Sequence, residues 1–382
     1  TTGEYNVAVG QQALEDNTTA AHNTAMGYFV LSANTTGEHN VAVGSSALRN
    51  NTTASYNVAV GKSASLATTT GSNNAALGHK ALEGGTNGNG KVAIGYEALK
   101  TATDGSYQIA IGYEALKSTT TGTGNVAIGY RVGHNHTTGV NNTGIGSTAL
   151  YSITEALRNT AVGNSALYTI TDAGHDNVAV GFEALNLNTG GDQNTGVGNY
   201  ALKANTTGGN NSAFGHDAGI YITTGSNNTM LGKSSGTVGS PSGKIEGGNN
   251  LICLGNNSVT DIYCADTSIS SSDSRDKTDV VNFTNGLNWI NQLNPITYRW
   301  DKRTWYDDNT PDGSKKRNKK HIGFLAQDVL AIEGNPSDKD DMLVVNLNED
   351  KTAYGLKYER LVPVLVNAIK ELSAKVTALE AK

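Results

Sequence analysis

The feature that most limits the fold of this 382-residue chain is a glycine that recurs every 17 residues between positions 10 and 232. The repeated unit reads Asn-x-Ala, an aliphatic residue, then Gly-x-x-Ala-Leu, and it ends in polar tracts such as Asn-Thr-Thr-Gly. Only one step, from residue 163 to residue 181, is a residue longer. Self-similarity at a fixed period is typical of a solenoid, in which each unit buries its apolar side against its neighbours. The anchor glycines are Gly10, Gly27, Gly44, Gly61, Gly78, Gly95, Gly112, Gly129, Gly146, Gly163, Gly181, Gly198, Gly215 and Gly232.

Each unit contains a short segment, such as Asn6 to Gly10, in which small and branched residues alternate with period two, as they do in a strand. Two positions before the anchor glycine stands Ala or Gly, with Met230 as the exception, and we expect another backbone or chain to approach closely there. The Thr/Asn/Gly tracts between units have the chemistry of turns. The residue just before the glycine is always large and apolar, so we expect it to face the core: Val9, Met26, Val43, Val60, Leu77, Ile94, Ile111, Ile128, Ile145, Val162, Val180, Val197, Phe214 and Leu231.

The core that these units offer is thin. One Val, one Leu and a few alanines per 17 residues, with 6% aromatic residues overall, leave little of the large apolar material that fills an ordinary globular core. This argues against a conventional enzyme fold over the full length. We therefore expect several chains to share the core, most simply as a parallel homotrimer.

The repeats resemble the head repeats of trimeric adhesins and the shafts of phage tail fibres and spikes. Such arrays form β-rolls or interwoven β-helices, and the 17-residue period is longer than the repeat usual in adhesin heads. The predicted fold class is mainly β. We expect a homotrimeric β-roll or β-helix shaft over residues 1–248, followed by a small C-terminal α+β domain that ends in a helix.

The composition changes near residue 249. Of the first 248 residues 26 are charged, against 36 of the remaining 134, while the number of glycines falls from 40 to 6. A degenerate last repeat at residues 250–255 and a Ser/Thr-rich linker occupy residues 249–271. We expect the second domain to span residues 272–382.

Four blocks of this second segment closely resemble the intramolecular chaperone domain with self-cleaving endopeptidase activity found at the ends of phage tail spikes, endosialidases and neck appendages. They begin with Ser-Asp-Ser-Arg-Asp-Lys at residues 272–277 and continue at residues 286–300, 321–329 and 354–372. Their order and spacing agree with that domain over the C-terminal segment. The resemblance implies a domain that aligns chains during folding.

The family's signature, Ser-Asp-x-Arg-x-Lys, places Ser272 as the nucleophile and Lys277 as the base of a Ser-Lys dyad. The resemblance implies cleavage between Ser271 and Ser272. A serine hydroxyl is a poor nucleophile, so a nearby amine with a depressed pKa must take its proton, and burial in an assembled trimer would depress it. Asp273 and Arg275 orient the scissile loop, polarise its carbonyl or form a plain salt bridge. A polar linker without chemistry, and a domain that folds without cutting, are the alternatives.

The C-terminus carries a short heptad pattern. Its branched residues at one position and leucines at the other predict a seam that faces other helices. Branched residues at the first heptad position with leucine at the second favour dimers in long coiled coils. Three heptads are too short to set the number of chains against the preference of a whole repeat shaft, so we retain the trimer. A helix that packs on its own domain is the alternative. The seam residues are Val362, Leu365, Ile369, Leu372, Val376 and Leu379.

Two smaller patterns lie in the repeats. His134 and His136 form a His-x-His element, which resembles the one by which some tail fibres hold a metal on the threefold axis. Because it lies in an inter-unit tract, solvated histidines are favoured, and we expect no metal and no cofactor. Tyr96, Tyr113 and Tyr130 recur at one repeat position, where stacked aromatics could bind sugar rings; a simple side-chain ladder is favoured.

Charge and hydropathy exclude other classes of function. The net charge is −6 with both signs interspersed and no basic face, so we expect no nucleic-acid partner. No apolar run approaches 18 residues, so we expect no membrane insertion. The chain begins without methionine, and we expect an upstream segment that joins it to other components of a virion tail.

The predicted function is a phage tail fibre or spike that binds a host cell-surface receptor, with a glycan favoured. We expect it to assemble in the host cytoplasm and to belong to the virion. A trimeric cell-surface adhesin that retains a non-cleaving chaperone domain is the alternative. A glycan-degrading spike ranks last, because Glu97 and Glu114 recur with the period and form no unique catalytic pair.

Overall fold

The computed structural model describes residues 2–259, 274–306, 308–336, 341–348 and 351–381. The chain divides into two compact units. The repeat unit contains residues up to Ser240 together with Ile245–Asn256, and the C-terminal unit contains Pro241–Lys244 and residues from Asn257 onward. Among the described residues, no helix is both long enough and apolar enough to cross a membrane.

The repeat unit is a β-solenoid with a single sheet of fifteen parallel strands in chain order, each three residues long. Neighbouring strands pair in register, so that Val7 lies beside Thr24 and Val9 beside Met26. This confirms the mainly β fold class. The strands are β1 Val7–Val9, β2 Thr24–Met26, β3 Val41–Val43, β4 Val58–Val60, β5 Ala75–Leu77, β6 Val92–Ile94, β7 Ile109–Ile111, β8 Val126–Ile128, β9 Thr143–Ile145, β10 Thr160–Val162, β11 Val178–Val180, β12 Thr195–Val197, β13 Ser212–Phe214, β14 Thr229–Leu231 and β15 Ile252–Leu254.

The interior of the solenoid is lined by small residues of the strands and by leucines of the turns. The central residue of every strand from β2 to β15 is buried, and Ala42 and Ala93 have no exposed surface. The residue before the anchor glycine instead points outward, and Val9 is 54% exposed. The prediction that this large residue faces the core of its own chain is therefore wrong.

The physical reason is the narrow cross-section of each coil, meaning each 17-residue turn of the solenoid. A Cβ added at Gly144, a central strand position, would lie 2.5 Å from Cγ1 of Val132 and 3.2 Å from Cδ1 of Leu150. These side chains come from turns and already fill the space opposite the strand. The close approach expected at the Ala/Gly position is thus made by the chain's own side chains.

The anchor glycines are required by both conformation and contact. Gly112 has φ +137°, a region that side chains of L-residues rarely adopt, and a Cβ there would overlap the carbonyl oxygen of Gly129 in the next coil. The same two conditions recur at Gly95, against Gly112. The 17-residue glycine period is thus the period at which backbones touch.

Gly112→Ala should lower the stability of the shaft, because backbone strain alone costs roughly 1–3 kcal/mol and the clash with the next coil adds to it. Gly190→Ala is the matched control: its nearest neighbour would be Cβ of Ala173, at an ordinary 3.5 Å. Thermal unfolding followed by circular dichroism measures both variants. Equal melting temperatures for the two variants would contradict this account.

A column of asparagines satisfies buried backbone groups inside the solenoid. The amide Nδ2 of Asn40 donates to the carbonyl of Ala54 at 2.9 Å, and the backbone N–H of Asn40 donates to Oδ1 of Asn23 at 2.9 Å. Each asparagine position of the column, which we call a rung, therefore joins its own coil to the neighbouring coils. The column contains Asn23, Asn40, Asn57, Asn74, Asn125, Asn142, Asn159, Asn177, Asn194, Asn211 and Asn228.

Lys91 and Gln108 replace asparagine at two successive rungs of this column. Lys91 is buried, and its amine donates to the carbonyls of Ala102 and Thr103 at 3.4 and 3.3 Å. Burial lowers the pKa of Lys91 to about 8, against a smaller opposite effect of Asp104. A cation therefore occupies a position that elsewhere holds a neutral amide.

Lys91→Asn should stabilise the shaft and alter its pH dependence. Because the folded-state pKa is depressed, the unfolded chain binds more protons between about pH 8 and 10.5, so in the parent protein Lys91 makes stability rise with pH across that window. The full effect is on the order of 3 kcal/mol. Melting temperatures of parent and variant should converge from pH 7 to pH 11. Lys62→Asn, at an exposed lysine, is the control, and a constant difference between parent and Lys91→Asn would contradict the prediction.

The C-terminal unit is a small α+β arrangement. Two antiparallel strand pairs, β16 with β17 and β18 with β19, are accompanied by helices, of which the last is by far the longest. Its core contains Trp289, Val329, Val345, Leu361 and Val364. The elements are α1 Leu287–Ile290, β16 Ile296–Tyr298, β17 His321–Gly323, α2 Ala326–Ile332, β18 Val345–Leu347, β19 Tyr354–Leu356 and α3 Leu361–Glu380.

Candidate functional site

The predicted cleavage segment is described only in its second half. Ser271, Ser272 and Asp273 lie outside the described residues. From Ser274 to Asp276 the chain forms a 3-10 turn, and the backbone N–H of Lys277 donates to the carbonyl of Ser274 at 3.4 Å. Arg275 and Lys277 are both exposed within the single chain. The base of the predicted dyad is therefore at the surface of one protomer.

The chain that leaves this segment is fixed to the last helix. Asn367 on α3 donates through Nδ2 to the carbonyls of Phe283 and Asn285, at 2.7 and 3.2 Å. One turn further along, the carboxylate of Glu371 accepts from the backbone N–H of Leu287 at 3.2 Å, at the start of α1. Residues four apart share a face of a helix, so the two side chains form one continuous clamp.

Gly286 is the residue that lets the clamp close. A Cβ at this position would overlap the carboxylate of Glu371 and would lie 3.2 Å from the backbone nitrogen of Ala368. Gly286 and Glu371 lie in the sequence blocks at residues 286–300 and 354–372, but the sequence alone indicates no role for either of them. The i,i+4 spacing of Asn367 and Glu371 was the available signal, although nothing in one sequence identifies the partner of such a pair.

A second carboxylate organises the other half of the unit. Glu333, at the end of α2, accepts three backbone N–H bonds, from Leu343 at 3.2 Å, Val344 at 2.6 Å and Val345 at 3.2 Å. Arg360 donates to the carbonyl of Leu343 at 2.9 Å. The start of β18 is thereby tied both to α2 and to the residue that precedes α3.

Asn367→Ala should loosen the segment between the cleavage site and α1. It removes two hydrogen bonds, each worth about 1 kcal/mol, and leaves the carbonyls of Phe283 and Asn285 without that donor. Backbone amides of residues 278–290 should exchange with deuterium roughly tenfold faster, as measured by mass spectrometry. Lys370→Ala, at an exposed position of the same helix, is the control and should leave the exchange unchanged. Unchanged exchange in Asn367→Ala would show that the clamp does not hold this segment.

The two histidines of the His-x-His element diverge. His134 is half-buried at the surface, with Nε2 3.5 Å from Oε2 of Glu114, whereas His136 is buried inside the solenoid with Nδ1 3.0 Å from the hydroxyl of Thr119. The expectation that both are solvated is wrong for His136, because that repeat position points into the coil. Burial lowers the pKa of His136 to about 4. The two rings do not converge on one ion within this chain, and the described residues contain no cluster of three or more His, Cys, Asp or Glu suited to a metal.

The tyrosine ladder is confirmed. The ring centroids of Tyr96 and Tyr113 are 5.0 Å apart, and those of Tyr113 and Tyr130 are 5.5 Å apart, in near-parallel stacks. Each inner ring face is covered by the next ring, so the middle of the ladder offers only ring edges to solvent. This arrangement does not suit the stacking of sugar rings along the ladder.

The acidic residues beside the tyrosines are ion-paired. Lys117 lies 2.8 Å from Glu97 and 2.6 Å from Glu114, and Lys100 lies 2.8 Å from Glu97. Burial acts to raise the pKa of Glu97, but the hydrogen bonds from Lys100 and Lys117 outweigh it and lower the pKa to about 2. A carboxylate held ionised in this way is unsuited to the general-acid role of glycoside hydrolysis.

The comparison with known families gives one match. Residues 272–337 match Peptidase_S74, described as the chaperone of endosialidase. The match starts at Ser272 and ends before β18, so the sequence block at residues 354–372 lies beyond it. Comparisons with curated proteins and with solved structures found no match. The β-solenoid and the match to the chaperone of endosialidase fit a tail-fibre-like protein.

Proposed function

We propose that this chain is the shaft and chaperone portion of a phage tail fibre or spike, and that it acts as a homotrimer. The C-terminal unit aligns three chains, promotes folding of the shaft and then releases itself by cleavage before Ser272. The observation that carries the proposal is the family match over residues 272–337, directly after a β-solenoid. Within the same proposal, the shaft binds a host cell-surface receptor, with a glycan favoured. It assembles in the host cytoplasm and joins other tail components through an upstream region.

The last helix supports the alignment of chains. Leu361, Val364 and Ala368 of α3 are buried within the C-terminal unit, so the helix packs on its own domain over its first two turns. The six heptad-seam residues, in contrast, are 44–69% exposed. One helix thus combines the two alternatives that the sequence left open, and its apolar seam is available to helices of other chains.

The cleavage chemistry that we propose is an acyl shift. Lys277 takes the proton of the Ser272 hydroxyl as its oxygen attacks the carbonyl carbon of Ser271. The same proton passes to the amide nitrogen as the peptide bond breaks, which leaves an ester between Ser271 and the Ser272 side chain. Water then hydrolyses the ester and gives a carboxylate at Ser271 and a second chain that begins at Ser272, with a free amino group and its hydroxyl restored. Lys277 is exposed among the described residues of one protomer, and in this proposal neighbouring chains supply the burial that favours its neutral amine. Cleavage should therefore follow assembly.

Ser272→Ala should abolish cleavage, because alanine has no nucleophilic oxygen. Parent protein should yield a fragment that spans residues 272–382, detected by denaturing electrophoresis and intact mass, and the variant should stay whole. Lys277→Met should also stay whole, while Ser274→Ala, the neighbouring serine, should cut as the parent does. If the parent also stays whole, the domain is a folding and trimerisation module only. A trimeric parent that stays whole favours the adhesin with a retained chaperone domain.

A further inference from the structure

The outward face of the fifteen-stranded sheet carries no charged residue. The first and third residues of each strand point outward, and the first is always Val, Ile, Thr, Ser or Ala. The third residues form an uninterrupted line of large apolar side chains, which we call the outer apolar column. Its members are Val9, Met26, Val43, Val60, Leu77, Ile94, Ile111, Ile128, Ile145, Val162, Val180, Val197, Phe214, Leu231 and Leu254.

This face is too large to be an ordinary exposed patch. Fifteen strands at about 4.8 Å spacing and three residues of width give a strip about 70 Å long and 10 Å wide, or roughly 700 Å². Monomeric soluble proteins rarely expose contiguous apolar patches above a few hundred Å², and a stable interface buries about 800 Å² on each partner. Leu77, in the fifth of the fifteen strands, is 49% exposed in the single chain.

The strip also keeps one register of strand pairing along its length. The extra residue between Gly163 and Gly181 is absorbed in a turn, because Thr160 still pairs with Val178 and Val162 with Val180. The outer apolar column therefore keeps one register from β1 to β15. A partner that covers it over its whole length must repeat every strand spacing along the same axis, and a second copy of this chain has that repeat by construction.

We propose that the outward sheet face is the surface through which copies of this chain pack, parallel and at the same level, around a threefold axis. The proposal rests on the trimer of the proposed function and names the contact that forms it. Three such strips, each only about 10 Å wide, can surround one axis, since sheets pack face to face at about 10 Å. The apolar residues that the narrow coil excludes then form a second core between the chains.

The first test introduces charge into the strip. Ile94→Asp combined with Ile111→Asp, in neighbouring strands, should lower the melting temperature of the shaft by 10 °C or more and reduce the trimeric fraction in sedimentation. Leu187→Asp combined with Val238→Asp is the matched control, because these residues are 43% and 57% exposed and lie outside the strands. A charged pair in the strip that behaves like the control pair would overturn the proposal.

The second test does not depend on whether the charged variant folds. Leu77→Cys, in a background where Cys253 and Cys264 are replaced by alanine, should be joined between two chains by a thiol crosslinker that spans about 10 Å, the spacing of packed sheets. Because Leu77 lies away from the middle of the sheet, equal residues meet there only if the chains are parallel and in register. Leu187→Cys is the control, and the linked fraction should be about tenfold lower for it, since Leu187 is exposed but lies outside the strands.

The outcomes separate this inference from the proposed function. A trimeric parent in which Leu77→Cys links no better than Leu187→Cys overturns the inference but leaves the trimer, with another contact surface. A parent that sediments as a monomer or a dimer overturns the trimer, and the threefold contact falls with it. Cleavage before Ser272 is measured independently and bears on neither result.

Discussion

The in-register stacking of identical coils at the spacing of hydrogen-bonded strands is the constraint on which the repeat unit depends. Each strand residue pairs with its equivalent in the next coil, so each column of side chains must tolerate its own repetition. Glycine does so where backbones touch, asparagine where amides can bond in series, and tyrosine where rings can stack. Like charges would repel in such a column. Glu97 and Glu114 occupy equivalent positions in successive coils, and Lys117 forms an ion pair with both of them. Glu114 lies in the same coil as Lys117, and Glu97 lies in the coil before.

The period and the strand positions could be read from the sequence, but the direction of the side chains could not. Alternation with period two shows that Ala93 and Ile94 face opposite sides, and it does not show which side is inside. That choice is made by Leu99, which follows a few residues later and turns inward with φ +50°, so that only alanine fits opposite. Large apolar residues are usually the buried ones, but here the large strand residue points outward. The turn, rather than the strand, supplies the large interior residue.

In the C-terminal unit the candidate site residues could be identified from the sequence, but the contacts around them could not. Ser272 and Lys277 were identified from a resemblance, and the match over residues 272–337 starts at the first of them. The contacts that fix the neighbouring chain could not be identified in this way, because Asn367 and Glu371 lie more than 80 positions from their partners. A single sequence contains the residues of such a clamp without indicating which of them meet.

Both units leave apolar surface outside the single chain for the same physical reason. A coil with leucine in its turn admits nothing larger than alanine opposite and cannot enclose a further aliphatic residue per strand. The buried residues of α3, Leu361, Val364 and Ala368, all lie in its first two turns. The surface left over favours association, but pairing along the whole shaft is slow if chains must first meet by diffusion. Chains joined through the heptad seam would face each other at a high effective concentration. Folding of the shaft would then follow as an event within one assembly, and cleavage would make that order irreversible.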